Sequence, residues 1–162
     1  MKPIKIFSIV SIIIFSQQCL AQTNSVNITN ADNKTTTFTL TDLQSFPQTT
    51  LNVAGEDGVM HNYTGVDLYA LLSKAGVAFG KEVRKQTLNS YMLIKAADSY
   101  SVIYALAEID SFFSSKRMLL AVSKDDKPLP ENFGPLQIIA TGEKRHARLI
   151  RQVTDINIKR VE

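Results

Sequence analysis

Residues 127–151 read KPLPENFGPLQIIATGEKRHARLIR, which combines a proline-framed loop, a short apolar run and a dense group of cations. The apolar run at 136–140 is typical of a short buried strand. Gly142 follows it and lets the backbone approach a partner closely. We call residues 142–151 the cationic segment. Its candidate anion-binding residues are Gly142, Lys144, Arg145, His146, Arg148 and Arg151.

The cationic segment has two interpretations. If it turns helically, Lys144, Arg148 and Arg151 lie on one face at i, i+4 and i+7. Arginine suits an anion site because its planar guanidinium makes paired hydrogen bonds to an oxyanion. Alternatively, the segment is a solvated basic rim that is partly paired with nearby Asp or Glu, as charge runs commonly are.

Period-two alternation and turn residues predict that most of the chain folds into β-strands. The predicted strands span residues 26–29, 35–39, 49–53, 59–63, 91–96, 100–105, 118–122, 136–140 and 156–158. Residues 118–122 are continuously apolar, which places them in the middle of a sheet that is covered on both faces. Helical apolar spacing predicts one main helix at 67–75, with Gly76 as its C-cap. We therefore expect an α+β fold, mostly β, with one main helix and short helical turns.

Residues 1–21 have the pattern of a secretory signal peptide. Two lysines form a positive start, residues 6–15 form a mainly apolar region, and small residues stand three positions and one position before a cut after Ala21. This ten-residue region is too short to span a bilayer, which needs about 20 residues, so an N-terminal membrane anchor is the weaker alternative. We expect a periplasmic or secreted mature chain, residues 22–162, that forms a single domain and has no membrane span after cleavage.

Composition argues against several classes of protein. The chain carries 18 Lys+Arg against 15 Asp+Glu, and removal of the two signal lysines leaves 16 against 15, a net charge of +1 that does not suit a nucleic-acid binder. The only cysteine, Cys19, leaves with the signal, so we expect no disulfide, thiolate nucleophile or sulfur metal ligand in the mature chain. The two histidines, His61 and His146, are too few for a zinc site. We predict no catalytic and no metal-ligating residue.

Four segments, in order along the chain, resemble the molybdopterin-binding domain of the sulfite-oxidase superfamily in its short exported form. They are YTGVDL at 63–68, with LL at 71–72 and AG at 75–76; ADSYS at 97–101; LLA at 119–121, with PLP at 128–130 and GPL at 134–136; and the cationic segment. The resemblance covers nearly the whole mature chain and implies a sulfite-oxidase-like fold. It implies that the cationic segment lies where the family holds the pterin phosphate, and it adds Tyr100 to the candidate ligand-binding residues.

The resemblance breaks at the metal ligand. In the family's enzymes a cysteine thiolate within a Cys-Ala-Gly-Asn turn coordinates molybdenum, and the matching residues here read VAGE, with Val53 at the cysteine position. Valine carries no donor atom for a metal. The chain is also shorter than a family enzyme domain. Its signal has two lysines in place of the twin arginine that exports folded, cofactor-loaded enzymes.

These observations predict a non-catalytic binding or accessory module that uses the fold for a small anionic ligand or an envelope protein partner. The alternative is a molybdopterin-dependent oxidoreductase or a component of one, with molybdopterin as the cofactor that the resemblance implies. Adhesion or envelope-assembly contact through a sheet edge is a third interpretation. A cleft bordered by Val53, Tyr100 and the cationic segment would favour ligand binding, whereas a solid interior there would argue against it.

Overall fold

The computed structural model of the protein describes residues 24–161. The predicted signal peptide, with Cys19, lies outside the described residues, so its cleavage and the export of the chain stay predictions. Within residues 24–161, no helix has the length and apolar character needed to cross a membrane.

Strands dominate the described part of the chain. They are β1 (Ser25–Thr29), β2 (Thr35–Thr39), β3 (Gln48–Ala54), β4 (Met60–Asp67), β5 (Ser90–Ala96), β6 (Ser101–Ala105), β7 (Met118–Lys124), β8 (Lys127–Pro128), β9 (Gln137–Ala140) and β10 (Val153–Arg160). The helices are α1 (Leu40–Ser45), α2 (Leu68–Lys74) and α3 (Arg84–Leu88), and short 3-10 turns span Lys81–Val83, Leu106–Glu108 and His146–Arg148. The predicted α+β architecture, mostly β with short helical elements, is confirmed.

The strands form two five-stranded sheets. The first has the order β2-β1-β10-β5-β6, in which β1 and β10 are parallel and the other neighbours antiparallel. In the second, the order is β3-β4-β7, and the far edge of β7 pairs with β9 along Met118–Ala121 and with β8 beyond it. The last strand, β10, therefore lies in the centre of the first sheet.

The main hydrophobic core joins the two sheets. Ile94 of β5 and Ile156 of β10 are fully buried in one cluster with Leu120 of β7. Ala121, the next residue of β7, packs into a second cluster with Tyr63 of β4. Consecutive residues of β7 thus meet apolar side chains on opposite faces, which confirms the prediction of a central strand covered on both sides.

Strand β4 passes very close to β7 at Gly65. A Cβ added there would lie 2.1 Å from the Leu120 carbonyl oxygen and 2.6 Å from the Ala121 Cα. The register of the two strands also shifts between Thr64 and Gly65. Glycine at this position allows the close backbone approach that a bulge in the strand pair requires.

Turn residues explain where several elements begin and end. The Asn30 side-chain oxygen accepts hydrogen bonds from the backbone N–H groups of Asp32 and Lys34, both at 3.0 Å, and closes the β1–β2 hairpin. The Asp67 side chain caps the first turn of α2. Gly76 follows α2 with a φ of 87°, as its predicted place after the helix requires.

Two features differ from the interpretation of the sequence. The cationic segment contains only the 3-10 turn His146–Arg148, so it lacks the continuous helix that would align Lys144, Arg148 and Arg151. The patterns also missed α3, where Thr87 is buried and Leu88 is 57% exposed. A helix that buries a polar residue and exposes an apolar one carries no amphipathic signal to recognise.

Candidate functional site

A cleft with two adjoining compartments lies between the cationic segment and the turn after β3. Glu56, His146, Leu149 and Arg151 line both compartments. The Tyr100 compartment has a volume of 290 Å³ and is bordered in addition by Asp98, Tyr100, Asn132 and Gln152. The Gln137 compartment has a volume of 220 Å³ and is bordered in addition by Asp57, Tyr63, Lys124, Phe133 and Gln137.

Arg151 forms the wall between the two compartments. Its guanidinium makes an ion pair with Glu56 and lies 3.9 Å from the centroid of the Phe133 ring. The backbone N–H of Gln152, at a φ of 48°, donates to the Phe133 carbonyl at 3.0 Å. Phe133 is therefore held against Arg151 by the side-chain contact and by the backbone bond from the next residue, Gln152. Arg151 is the cation of the segment that borders the cleft, and a carboxylate already contacts it.

His146 and Tyr100 hold the 3-10 turn of the cationic segment from two directions. Nε2 of His146 lies 2.8 Å from the Ala54 carbonyl oxygen at the end of β3. Because a carbonyl only accepts, Nε2 carries the proton in this contact. The Tyr100 hydroxyl donates to the Ala147 carbonyl at 2.9 Å. Both side chains line the Tyr100 compartment, so two residues predicted from different motifs meet at one site.

Arg148 does not border the cleft. It pairs with Glu108 at 3.0 Å and with Glu143 at 3.1 Å, and Lys116 bonds the same carboxylates at 2.6 and 2.7 Å. Its guanidinium also lies 3.8 Å from the centroid of the fully buried Tyr104 ring. This four-residue network of two cations and two anions matches the interpretation of a basic rim paired with acids.

The network changes the ionisation of its members. Burial raises the pKa of Glu108, but hydrogen bonds from Lys116 and then Arg148 outweigh this effect and lower it. Burial raises the pKa of the Tyr104 phenol, which donates to the Arg148 carbonyl at 2.6 Å. At neutral pH the carboxylate is therefore charged and the phenol neutral, and both hold Arg148 in place.

The remaining cations of the segment face solvent. Lys144 and Arg145 are exposed, and neither makes an ion pair with any residue among 24–161. Gly142 precedes them with a φ of 75°, which favours glycine. The segment thus presents its cations in three environments: the cleft, an acidic network and the surface.

Val53 packs into the protein rather than into the cleft. It is half-buried against both hydrophobic clusters and lines neither compartment. The turn that follows it is tightly closed, since a Cβ on Gly55 would lie 2.7 Å from Asp57 Oδ1 and 2.8 Å from His61 Cδ2. The expected cleft therefore borders on Tyr100, His146 and the end of the cationic segment, without Val53.

Sequence reasoning missed the contacts of His61 with two carboxylates, one of which, Asp57, borders the Gln137 compartment. Its Nδ1 lies 2.6 Å from Asp125 and its Nε2 lies 3.0 Å from Asp57. Hydrogen bonds to Asp57 and then Asp125 raise the pKa of His61. The pKa of Asp57 is lowered first by the Val59 N–H, that of Asp125 first by the Asn62 N–H, and both are lowered further by His61. Asp57 is four residues from His61, a spacing that sequence could have flagged, whereas Asp125 is 64 residues away.

Gln137 was also missed, because it lies within an apolar strand. The residue is 4% exposed, and its Nε2 donates to the Leu149 carbonyl at 3.3 Å. Its Oε1 is buried and has no hydrogen-bond partner among the described residues. Buried polar atoms are rarely left unpaired in folded proteins, so this oxygen is an acceptor that still lacks a donor, on a residue that borders the compartment.

Comparison with known proteins identifies the family of the chain. The family model described as oxidoreductase molybdopterin binding domain matches residues 15–162. The chain belongs to this family. The resemblance seen in the four sequence segments is thereby confirmed. No curated protein matches the sequence.

A solved relative supports the fold. The crystal structure of the sulfane dehydrogenase SoxCD from Paracoccus pantotrophus matches this molybdopterin-binding family member with a TM-score of 0.66 and 19% sequence identity. The match covers 86% of this chain and 39% of that chain. At this identity the likeness shows a shared, sulfite-oxidase-like fold. The chain spans about two fifths of the length of SoxCD, so the activity of SoxCD does not transfer with the fold.

Neither the side chains that line the cleft nor Val53, which lies outside it, provide the thiolate ligand of a molybdenum centre. The only cysteine of the chain is Cys19, and Val53, which the sequence resemblance aligns with the family's cysteine, carries hydrocarbon only. Within the described residues, no group of three or more His, Cys, Asp or Glu side chains could hold a metal ion. Arg151, which borders both compartments, is already paired with Glu56.

Proposed function

We propose that this family member is an exported, non-catalytic binding or accessory module, which uses the cleft beside the cationic segment for a small anionic ligand or for contact with an envelope protein. The observation that carries the proposal is the combination of a cleft, bordered by Tyr100, His146 and Arg151, with a hydrocarbon at Val53. The first supports binding. The second removes the thiolate on which the family's metal chemistry depends.

The position and ion pairing of each cation indicate which ligand it would bind. Arg151 is the residue for a small anion, because its guanidinium borders both compartments and makes one ion pair on a partly exposed surface. An exposed pair of this kind contributes little stability and is readily exchanged for a ligand. Lys144 and Arg145 are the residues for a protein partner, because they are exposed and make no ion pair in the described part of the chain.

Two measurements on the protein purified from its native compartment test the proposal. Elemental analysis should find molybdenum well below one atom per chain. Inorganic phosphate and pterin-6-carboxylate should raise the unfolding temperature with increasing concentration, as ligands that bind the native state do. Arg151→Met should lose this shift, whereas Lys159→Met, at an exposed residue of β10, should keep it. Stoichiometric molybdenum together with turnover of an oxidisable substrate would overturn the proposal.

Family membership favours a second candidate, a molybdopterin-dependent oxidoreductase or a component of one. In that case a partner chain completes the pocket, and the cofactor is supplied in the export compartment. Val53→Cys should then raise the molybdenum content of the purified protein, because it restores a thiolate ligand. Equal metal content in wild type and variant, with no pterin binding by either, would end this candidate.

A further inference from the structure

The Gln137 compartment holds an unused hydrogen-bond acceptor. The Gln137 amide is oriented by the bond from its Nε2 to Leu149, which leaves Oε1 buried and without a partner among residues 24–161. A buried acceptor that lacks a donor destabilises the protein until a donor reaches it. Oε1 has almost no accessible surface, so an N–H or O–H group in the compartment supplies that donor once the Gln137 amide turns toward it.

The same compartment holds a cation whose partner is exchangeable. The Arg151 side chain is 34% exposed, and that of Glu56 is 54% exposed on the turn between β3 and β4. Arg151 is fixed from the other side by stacking on Phe133. The Glu56 carboxylate therefore occupies the position on a preorganised guanidinium that the acid group of a ligand would take.

The walls favour a flat and compact molecule. Aromatic rings of Tyr63 and Phe133 border the compartment, and Lys124 Nζ lies 5.8 Å from the centroid of the Tyr63 ring. The volume of 220 Å³ lies below the usual range of small-molecule sites, which is about 300–1,000 Å³. A single aromatic ring suits these walls and this size.

We propose that the Gln137 compartment selects a small aromatic acid that also carries an N–H or O–H donor. The acid displaces Glu56 from Arg151, and the donor reaches Gln137 Oε1. Glu56 then competes with the ligand's acid group for Arg151 and so lowers the affinity of the site. Gln137 makes the site selective for ligands that carry a hydrogen-bond donor. This assignment rests on the proposed function, whose cleft it shares, and it narrows the class of ligand.

Titration calorimetry with two matched acids tests the assignment. 4-Hydroxybenzoate carries a donor opposite its carboxylate, and 4-methoxybenzoate has the same ring and acid without the donor. Wild type should bind the hydroxy acid about tenfold more tightly, as expected for an otherwise unpaired buried acceptor. Glu56→Gln should tighten binding of the hydroxy acid about two- to fivefold, the scale of an exposed ion pair. Glu82→Gln, at an exposed residue of the Lys81–Val83 turn, should change nothing.

Gln137→Met removes the amide oxygen and should make the two acids bind equally. If this buried substitution prevents folding, the preference of wild type and the effect of the exposed Glu56→Gln change still decide the question. The assignment is overturned if neither wild type nor Glu56→Gln binds the hydroxy acid, or if wild type binds the two acids equally. It is also overturned if Glu56→Gln binds the hydroxy acid no more tightly than wild type, or if Gln137→Met keeps the preference. Phosphate binding that depends on Arg151 without any aromatic-acid binding would refute this assignment and leave the proposed function standing.

Discussion

Replacement of Arg148 by methionine separates a stabilising arginine from a ligand-binding one. The change keeps an unbranched apolar stem and removes the guanidinium that contacts Glu108 at 3.0 Å and Glu143 at 3.1 Å. It also removes the stacking on Tyr104 at 3.8 Å. Because these contacts hold the 3-10 turn that follows Arg145, we expect the substitution to destabilise the fold without removing a ligand contact.

The burial of the partners sets the size of the effect. Breaking a fully buried ion pair costs about 3–5 kcal/mol, and an exposed pair contributes about 0–1 kcal/mol. The side chains here lie between these limits, at 37% exposed for Arg148, 27% for Glu108 and 9% for Glu143, and Lys116 still neutralises part of the acidic charge. With about 0.5–1 kcal/mol more from the aromatic contact, we expect the free energy of unfolding to fall by about 2–3 kcal/mol.

Urea denaturation measures this change directly. For an m value of about 1–3 kcal/mol per molar urea, a loss of about 2–3 kcal/mol should lower the midpoint by roughly 0.7–3 M. The matched variant Arg151→Met loses one exposed pair and the contact with Phe133, so its free energy of unfolding should fall by only about 1 kcal/mol. Phosphate binding should behave in the opposite way, being kept by Arg148→Met and lost by Arg151→Met. An Arg148→Met protein that unfolds at the wild-type midpoint, or that stays folded and loses phosphate, would refute this reasoning.

Two further predictions concern the turn at His61 and the strand contact at Gly65. Hydrogen bonds to Asp57 and Asp125 raise the pKa of His61 in the folded protein. The protonated imidazole therefore stabilises the fold fully below the unfolded pKa of about 6.5, and this stabilisation is lost as the pH rises through the higher folded pKa. The urea midpoint of wild type should accordingly drop relative to that of His61→Asn between the acidic and alkaline sides of this window, and parallel pH curves would contradict the assignment. Gly65→Ala places a Cβ 2.1 Å from the Leu120 carbonyl oxygen and should destabilise the protein by about 3 kcal/mol. An unchanged melting temperature would contradict this prediction and show that β4 and β7 can move apart at little cost.

Local patterns were sufficient for most of the fold. The apolar run of β7 and the glycine at position 76 after α2 are each visible within a few consecutive residues, and both predictions are confirmed. Helix α3 was missed because its buried side is held by Thr87 rather than by an apolar stripe. Periodicity reports burial only where hydrophobicity and burial coincide.

The site was less accessible to such reasoning. Tyr100, His146 and Arg151 were predicted as ligand-binding candidates, and the structure brings them to one cleft. Arg148 lies outside the cleft because it is paired with Glu108, an acid 40 residues away in the sequence. Arg151 is paired with Glu56, 95 residues away. Local sequence patterns show neither pairing. In the sequence, Gln137 is one polar residue within an apolar strand. Only the structure shows that its side-chain oxygen is buried and unpaired among the described residues.

The sequence by itself determined the family, the mostly-β architecture and the presence of a hydrocarbon at Val53, since all three depend on residue identity and order along the chain. Only the tertiary structure decided which cation faces the cleft, which cation is paired with two carboxylates away from it, and which cations remain at the surface. The physical reason is that the availability of a charged side chain for a ligand depends on its neighbours and its solvation. For Arg148 and Arg151 those neighbours come from distant parts of the chain that folding brings together.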